Sequence, residues 1–224
     1  MNNEEINDNS AVDEMNSIPE YGGTEVVSSD DGEERNQKFA LENSVLLVLG
    51  ANKKKISLLL LEKIFFVLKL KDLTGYAEYE FHPHVMGEYC NDLEDAVINP
   101  ESLKGSWKYT PPEADDHYSG GYIVLTKSGR ELYKENIHEL GSDEDFKGYL
   151  RNIRNVRRAY NEYTDAEMLL LSFNAFPEYA ENSDLYDMIY DKREVIAKKL
   201  LKKGRIDNKR YNELAVDGWH RWQD

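Results

Sequence analysis

The sequence predicts an α+β chain, mostly helical, with a small antiparallel hairpin. Three observations carry this. Ile56 to Leu70 is the most apolar run in the chain, and it is apolar on nearly every face, as in a helix enclosed by other elements. Gly105–Thr110 and Gly121–Leu125 are short runs rich in Trp, Tyr, Ile and Val around a turn-rich loop, the pattern of a hairpin with a long tip. Beyond Gly141 the chain shows only helical patterns, several with a capping residue at their start.

Taken in order, Leu41–Leu49 has helical periodicity and stops at Gly50. Lys53, Lys54 and Lys55 precede the apolar run; they are either a solvated helix start or phosphate contacts. Tyr76–Phe81 alternates in the manner of a short strand, and Pro83 and Gly87 break it. Glu88–Ile98 reads as a helix with Leu93 and Val97 on one face, closed by Pro100. Thr126 is placed to cap a helix over Lys127–Leu140 that ends at Gly141. Ser142 starts the next helix. Thr164 with Glu167 has capping-box spacing and opens Asp165–Phe173, which Pro177 breaks. Ser183 or Asp184 opens a helix to about Lys203, stopped by Gly204, and Asp207 caps a last one over Asn208–Val216.

The order helix, helix, short strand, helix, hairpin, helix is compatible with a winged-helix-like core whose wing is the hairpin. Three segments follow: an acidic tail over residues 1–36, the core over 37–141, and a helical C-terminal extension over 142–224 packed on that core. The tail has few apolar residues to offset the entropy of ordering, so disorder is expected. It is either a solubilising tail or an acidic arm that mimics nucleic-acid charge or masks a basic patch.

Charge is unevenly spread. The 224 residues carry a net −15. Residues 1–35 hold eleven acids and one base, a net −10, and the other 32 acids and 27 bases leave the body at −5. Whole-chain acidity is therefore a poor guide to partners. The single cysteine, Cys90, excludes an internal disulfide framework. The N-terminus has no signal-peptide pattern, and Ile56–Leu70, interrupted by Glu62 and Lys63, is too short to span a bilayer. A cytoplasmic protein without a membrane partner is expected.

His82, His84 and Cys90 are metal-ligand residue types, but no fourth ligand, His-x-Glu or Cys-x-x-Cys accompanies them. There is no Gly-x-Ser-x-Gly, phosphate loop or dinucleotide fingerprint. Asp115 and Asp116 fall in the loop tip, where acids stay solvated. The expectation is no catalytic residues, no metal and no cofactor. Lys192–Arg210 is the basic concentration, nine bases against two acids. Lys198, Lys199, Lys202 and Lys203 share one helix face, and with Arg205 they are the candidate nucleic-acid contacts, since such a stripe neutralises phosphates by counterion release. Its alternative is a solvated face. A smaller stripe is Arg151, Arg154, Arg157 and Arg158. The wing points away from DNA, because Thr110–Gly121 holds Glu113, Asp115 and Asp116 and no Lys or Arg.

The run Phe81-His82-Pro83-His84-Val85-Met86-Gly87-Glu88-Tyr89-Cys90, followed by Leu93, resembles the Panacea (SocA-like) antitoxin domain and the related YwgA-like proteins. That family has a Leu-rich helix, an aromatic strand, a Gly-Pro-Tyr-Ser turn opening a helix, and a hairpin ending in Leu-Thr-x-x-Gly. Here these are Ile56–Leu70, the residues leading into Phe81, Gly87-Glu88-Tyr89-Cys90, and Leu125-Thr126-Lys127-Ser128-Gly129. Glu88 stands where the family has Pro, and Cys90 where it has Ser. Asn174-Ala175-Phe176-Pro177-Glu178-Tyr179 is similar to a segment in other members. The resemblance implies a non-enzymatic regulatory module that binds another cytosolic protein, as some relatives bind toxins. The expected partner-binding residues are Phe81, His84 and Tyr89, with Tyr89 either packed on the Leu-rich helix or exposed as an aromatic anchor. A DNA-binding winged-helix regulator using the 192–210 stripe is the alternative.

Overall fold

The computed structural model describes residues 29–217 apart from 76, 85, 86, 181 and 182. At its centre is α2 (Leu58–Leu70), buried at ten of its thirteen residues, including Glu62 and Lys63. Its start explains its position. Ile56–Ser57 is a short strand, β1, rather than part of the helix. The Ser57 side chain accepts the Leu60 N–H, while the N–H groups of Leu58 and Leu59 donate to Gly121 and Ser119 carbonyls. Donors that a helix start leaves without intrahelical partners are thus met inside the protein, and the helix is tied to the base of the hairpin.

The hairpin strands are β4 (Trp107–Thr110) and β5 (Tyr122–Leu125), within the predicted runs. With β1 they make an antiparallel sheet in the order β1-β5-β4, Ile56 opposite Ile123 and Trp107 opposite Leu125. The hairpin feeds α4 (Lys127–Leu140), whose bounds and Thr126 cap agree with the sequence reading. On the other side lies α1 (Ser29–Gly50). Its buried Glu42 accepts the N–H groups of Glu101, Ser102 and Leu103 at 2.7, 3.0 and 2.6 Å. That fixes the loop after α3 (Asn91–Ile98), where Trp107 Nε1 also donates to the Val97 carbonyl at 2.8 Å.

A second hairpin joins β2 (His82–His84) to β3 (Gly87–Tyr89), with His82 opposite Tyr89. The C-terminal half is helical: α5 (Glu144–Tyr160), α6 (Asp165–Ala175), α7 (Pro177–Ala180), α8 (Tyr186–Lys202) and α9 (Asn208–Asn212), which runs into a π-helical turn, Glu213–Asp217. Helices α5 and α6 pack on α2, and α8 packs on α6. One hydrophobic core runs through both halves, and the Thr164–Glu167 capping box is present in full.

Several expectations change. The helix expected over Leu41–Leu49 begins at Ser29, so residues 29–36 of the expected tail are helical; residues 1–28 lie outside the described ones. The expected strand at Tyr76–Phe81 does not form over residues 77–81, and Tyr76 is not described. Pairing occurs instead at His82–His84, where Pro83 sits in a two-stranded edge position that needs no N–H from it. The helix expected from Glu88 begins at Asn91, because Glu88 and Tyr89 belong to β3. Asp143, not Ser142, caps α5. Pro177 does not merely end α6; it opens α7, as proline does at a first helical position. No helix among the described residues is long and apolar enough to cross a membrane.

Candidate partner-binding site

Two adjacent charges inside a helix enclosed on all sides must find partners. Lys63 finds Glu88: its Nζ lies 2.5 Å from Glu88 Oε2 and 3.2 Å from the Glu88 carbonyl oxygen. Ser172 of α6 donates its hydroxyl to the same carboxylate at 2.5 Å. Both charged side chains are almost wholly buried, 3% and 1% exposed. Glu88 is brought in by β3, whose Gly87 has φ +86°. A β-carbon on Gly87 would lie 3.0 Å from Lys63 Nζ and 3.1 Å from the Phe173 ring. Glycine there provides both the left-handed turn and the room.

Glu62, the other charge, accepts the Cys90 N–H at 3.2 Å through Oε2, while Oε1 has no partner among the described residues. Burial raises its carboxyl pKa well above the ordinary range; the neighbouring Lys63 opposes that without reversing it. Cys90 precedes α3 without a side-chain cap, and burial pushes its thiol up to about 12. A thiol so protonated and enclosed is no nucleophile at neutral pH. Among the described residues no three of His, Cys, Asp and Glu converge as a metal site.

The Lys63–Glu88–Ser172 cluster forms the floor of a groove of about 270 Å³ between α2, α5 and α6. The walls are mostly apolar and aromatic, with Phe66 of α2, Tyr160 at the end of α5, Tyr163 just beyond it, Leu171 of α6 and Phe176 after it. Arg210 of α9, paired with Glu213, also lines them. Phe66 is the hinge between this groove and the β2–β3 region. It makes edge contacts with Phe81, Phe176 and Tyr179 at 5.1, 5.0 and 5.4 Å. The floor's charges are neutralised internally, so the groove presents an apolar concavity with half-exposed aromatic rims, a surface that takes up hydrophobic side chains.

None of the three predicted partner residues lines this groove, and only Phe81 touches it, through Phe66. Phe81 is half-buried against Phe66 and Tyr79. His84 is half-buried, stacked on Tyr89 with ring centroids 4.1 Å apart, and burial lowers its pKa. Tyr89 itself is only 6% exposed and donates its hydroxyl to Glu94. It is therefore a packed core residue beneath His84 and not an exposed anchor. Glu62, Lys63 and Glu88 stood in the sequence only as interruptions or departures, and Ser172 carried no signal of its own.

The basic stripe is spread over the end of α8. Lys198, Lys199 and Lys202 are exposed and make no ion pair among the described residues. Lys203 is different: it pairs with the buried Glu167 at 2.7 Å and donates to the Glu162 carbonyl. Arg205 lies over the Tyr163 ring, 5.8 Å from its centroid. At the wing tip Glu113 and Asp115 are exposed, but Asp116 is half-buried and shapes the turn. Burial acts to raise its pKa, yet hydrogen bonds from Ser119 and Tyr118 outweigh that and hold it below the usual value.

Comparison with protein-family models, with curated proteins and with solved structures gives no match.

Proposed function

We propose that this chain is a non-enzymatic, cytosolic regulatory module that binds a protein partner, in the manner of the antitoxin-like proteins its sequence resembles. The observation that carries this reading is the groove at Phe66, with its aromatic rim and its self-neutralised floor. A partner side chain entering it exchanges water for aromatic walls at roughly 25 cal/mol per Å² of apolar surface buried. The arrangement is a poor catalyst: Glu88 already accepts from Lys63 and Ser172, and Cys90 is shut in the core. The sheet β1-β5-β4, with β1 ahead of α2 and the β4–β5 hairpin after α3, supports a winged-helix core. In that reading the helix ahead of the wing and the wing tip are the DNA-facing parts. Here α3 exposes Asp92 and the tip exposes Glu113 and Asp115, which disfavours phosphate and suits a protein with a basic face.

The test compares wild type with Leu171→Glu as bait in native lysate. Leu171 is half-buried at the groove wall, so the variant is expected to melt within a few degrees of wild type and to lose a stoichiometric protein that wild type retains. A wild-type bait that holds no stoichiometric protein overturns the proposal. Lys198, Lys199 and Lys202, exposed and without an ion pair among the described residues, favour the second reading, a DNA-binding regulator. Its mark is affinity that falls steeply with salt and with Lys198→Ala/Lys199→Ala/Lys202→Ala; salt-indifferent binding removes it.

A further inference from the structure

The loop between α1 and β1 carries Lys53, Lys54 and Lys55, and the fold brings cations from two distant helices to it. Lys53 and Lys54 line a pocket of about 130 Å³ together with Arg130 and Lys134 of α4. No carboxylate lines it, and none of the four makes an ion pair among the described residues. Leu49 and the Tyr133 ring give it an apolar base. That base depends on Gly50, where a β-carbon would lie 2.2 Å from the Tyr133 ring. The Tyr133 hydroxyl in turn accepts from Arg154 Nη2 at 3.3 Å.

A second, independent observation lies behind the loop. Arg157 of α5 is 1% exposed. Its Nη2 donates to the Lys54 carbonyl at 3.4 Å and its Nη1 to Asn161 Oδ1 at 3.3 Å, while Nε has no partner among the described residues. Among the described residues no carboxylate bonds to it; burial alone pulls its pKa down, to about 10. A guanidinium removed from water without a counter-charge is costly, and this one sits directly under a loop of exposed lysines. The carbonyl end of α1 contributes roughly half a negative charge, far less than the cations gathered here. Arg157 does not line the pocket, but it places a second, buried positive charge directly behind the Lys54 backbone.

We propose that this pocket binds a phosphate group carried by a ligand whose remainder stays outside it. Its 130 Å³ is well below the roughly 300 Å³ at which sites for whole drug-sized molecules begin, so it fits the charged group and not a nucleoside. Lysine and arginine at one point are the usual donors to phosphate oxygens. The phosphate belongs either to a small phosphorylated compound or to a nucleic-acid backbone, and the experiment separates the two.

Calorimetric titration at low salt with pyrophosphate, and separately with a short DNA duplex, is run on three forms of the full chain. These are wild type, Lys54→Ala/Arg130→Ala/Lys134→Ala, and Lys198→Ala/Lys199→Ala/Lys202→Ala; Arg130→Gln alone serves as a milder substitution at the pocket. The expected result is saturable pyrophosphate binding, one site per chain. The first triple weakens it by roughly tenfold or more, and the second leaves it unchanged. DNA binding that pyrophosphate displaces, with the same sensitivity, assigns the backbone phosphate. Pyrophosphate binding without DNA binding assigns the small compound. The proposal is overturned if neither probe saturates, or if the pocket substitutions leave binding intact, or if the two triples weaken it equally.

Discussion

Gly129 approaches Ser106 so closely that a β-carbon on it would lie 1.8 Å from the Ser106 carbonyl oxygen. The same carbonyl accepts the Thr126 N–H and the Thr126 hydroxyl, each at 3.0 Å, while Thr126 Oγ1 also receives the Gly129 N–H at 3.1 Å. The Leu-Thr-x-x-Gly run thus has a physical reason. Threonine caps α4, and glycine lets the first turn of α4 press against the backbone just ahead of β4.

Gly129→Ala tests that contact. Within a helix alanine is favoured over glycine by about 1 kcal/mol, so a neutral site would gain stability. Here the clash is with main chain and cannot be relieved by a rotamer. A net destabilisation of about 1–3 kcal/mol is expected, read as a lowered denaturant midpoint at unchanged slope. A stabilised variant refutes the close approach.

Lys63 and Glu88 form a buried pair, so removing one partner is costly while removing both is less so. Lys63→Met alone is expected to destabilise by about 3–5 kcal/mol, since it leaves a carboxylate buried without its cation. The double variant Lys63→Met/Glu88→Gln is expected to recover part of that, giving a coupling energy in a double-mutant cycle. Additive losses would mean that the two side chains do not meet.

Glu62 gives a pH dependence of definite sign. Its raised pKa means that the folded chain keeps a proton which the unfolded chain releases above about 4.5. Stability then falls as pH rises from that value toward the folded-state pKa. Glu62→Gln keeps an acceptor for the Cys90 N–H and removes the titration. Urea melts across about pH 5 to 8 should show the variant gaining on wild type as pH rises. A gap independent of pH would show that Glu62 stays ionised when folded.

Lys203 differs from its neighbours in the stripe. Lys198→Ala, Lys199→Ala and Lys202→Ala remove exposed charges and are expected to change stability by no more than about 0.5 kcal/mol. Lys203→Ala strips the cation from Glu167, which is 2% exposed at its side chain, and is expected to cost about 1–3 kcal/mol. Thermal melts of the four single variants check the separation.

Local signals were read well where the determinant is local. Thr126 and Gly141 delimit α4, and Thr164 with Glu167 opens α6, because capping depends on residues three apart. The sequence reads Ile56–Ser57 as helix, since its strand character comes only from pairing with Tyr122 and Ile123, more than sixty positions away. The first half of α1 went unseen for a related reason. It has little apolar periodicity, and Lys38 is held instead by Asp95 and Glu101. The site was the least legible part. Glu62 and Lys63 inside a run buried on every side were a usable sign that partners must exist. Nothing local pointed to Glu88 or Ser172 as those partners, and the meeting of Lys54 with Arg157 is a product of tertiary packing alone.

The Lys63–Glu88–Ser172 contact draws its members from either side of Gly141. The ion pair lies within the first portion, but its serine donor and the helices α5 and α6 that pack on α2 come from the second. A fragment stopping near Gly141 would expose the apolar flank of α2 and leave Glu88 without its serine donor; the converse fragment would strand Ser172. The two portions are accordingly expected to hold as one cooperative unit and not to survive apart.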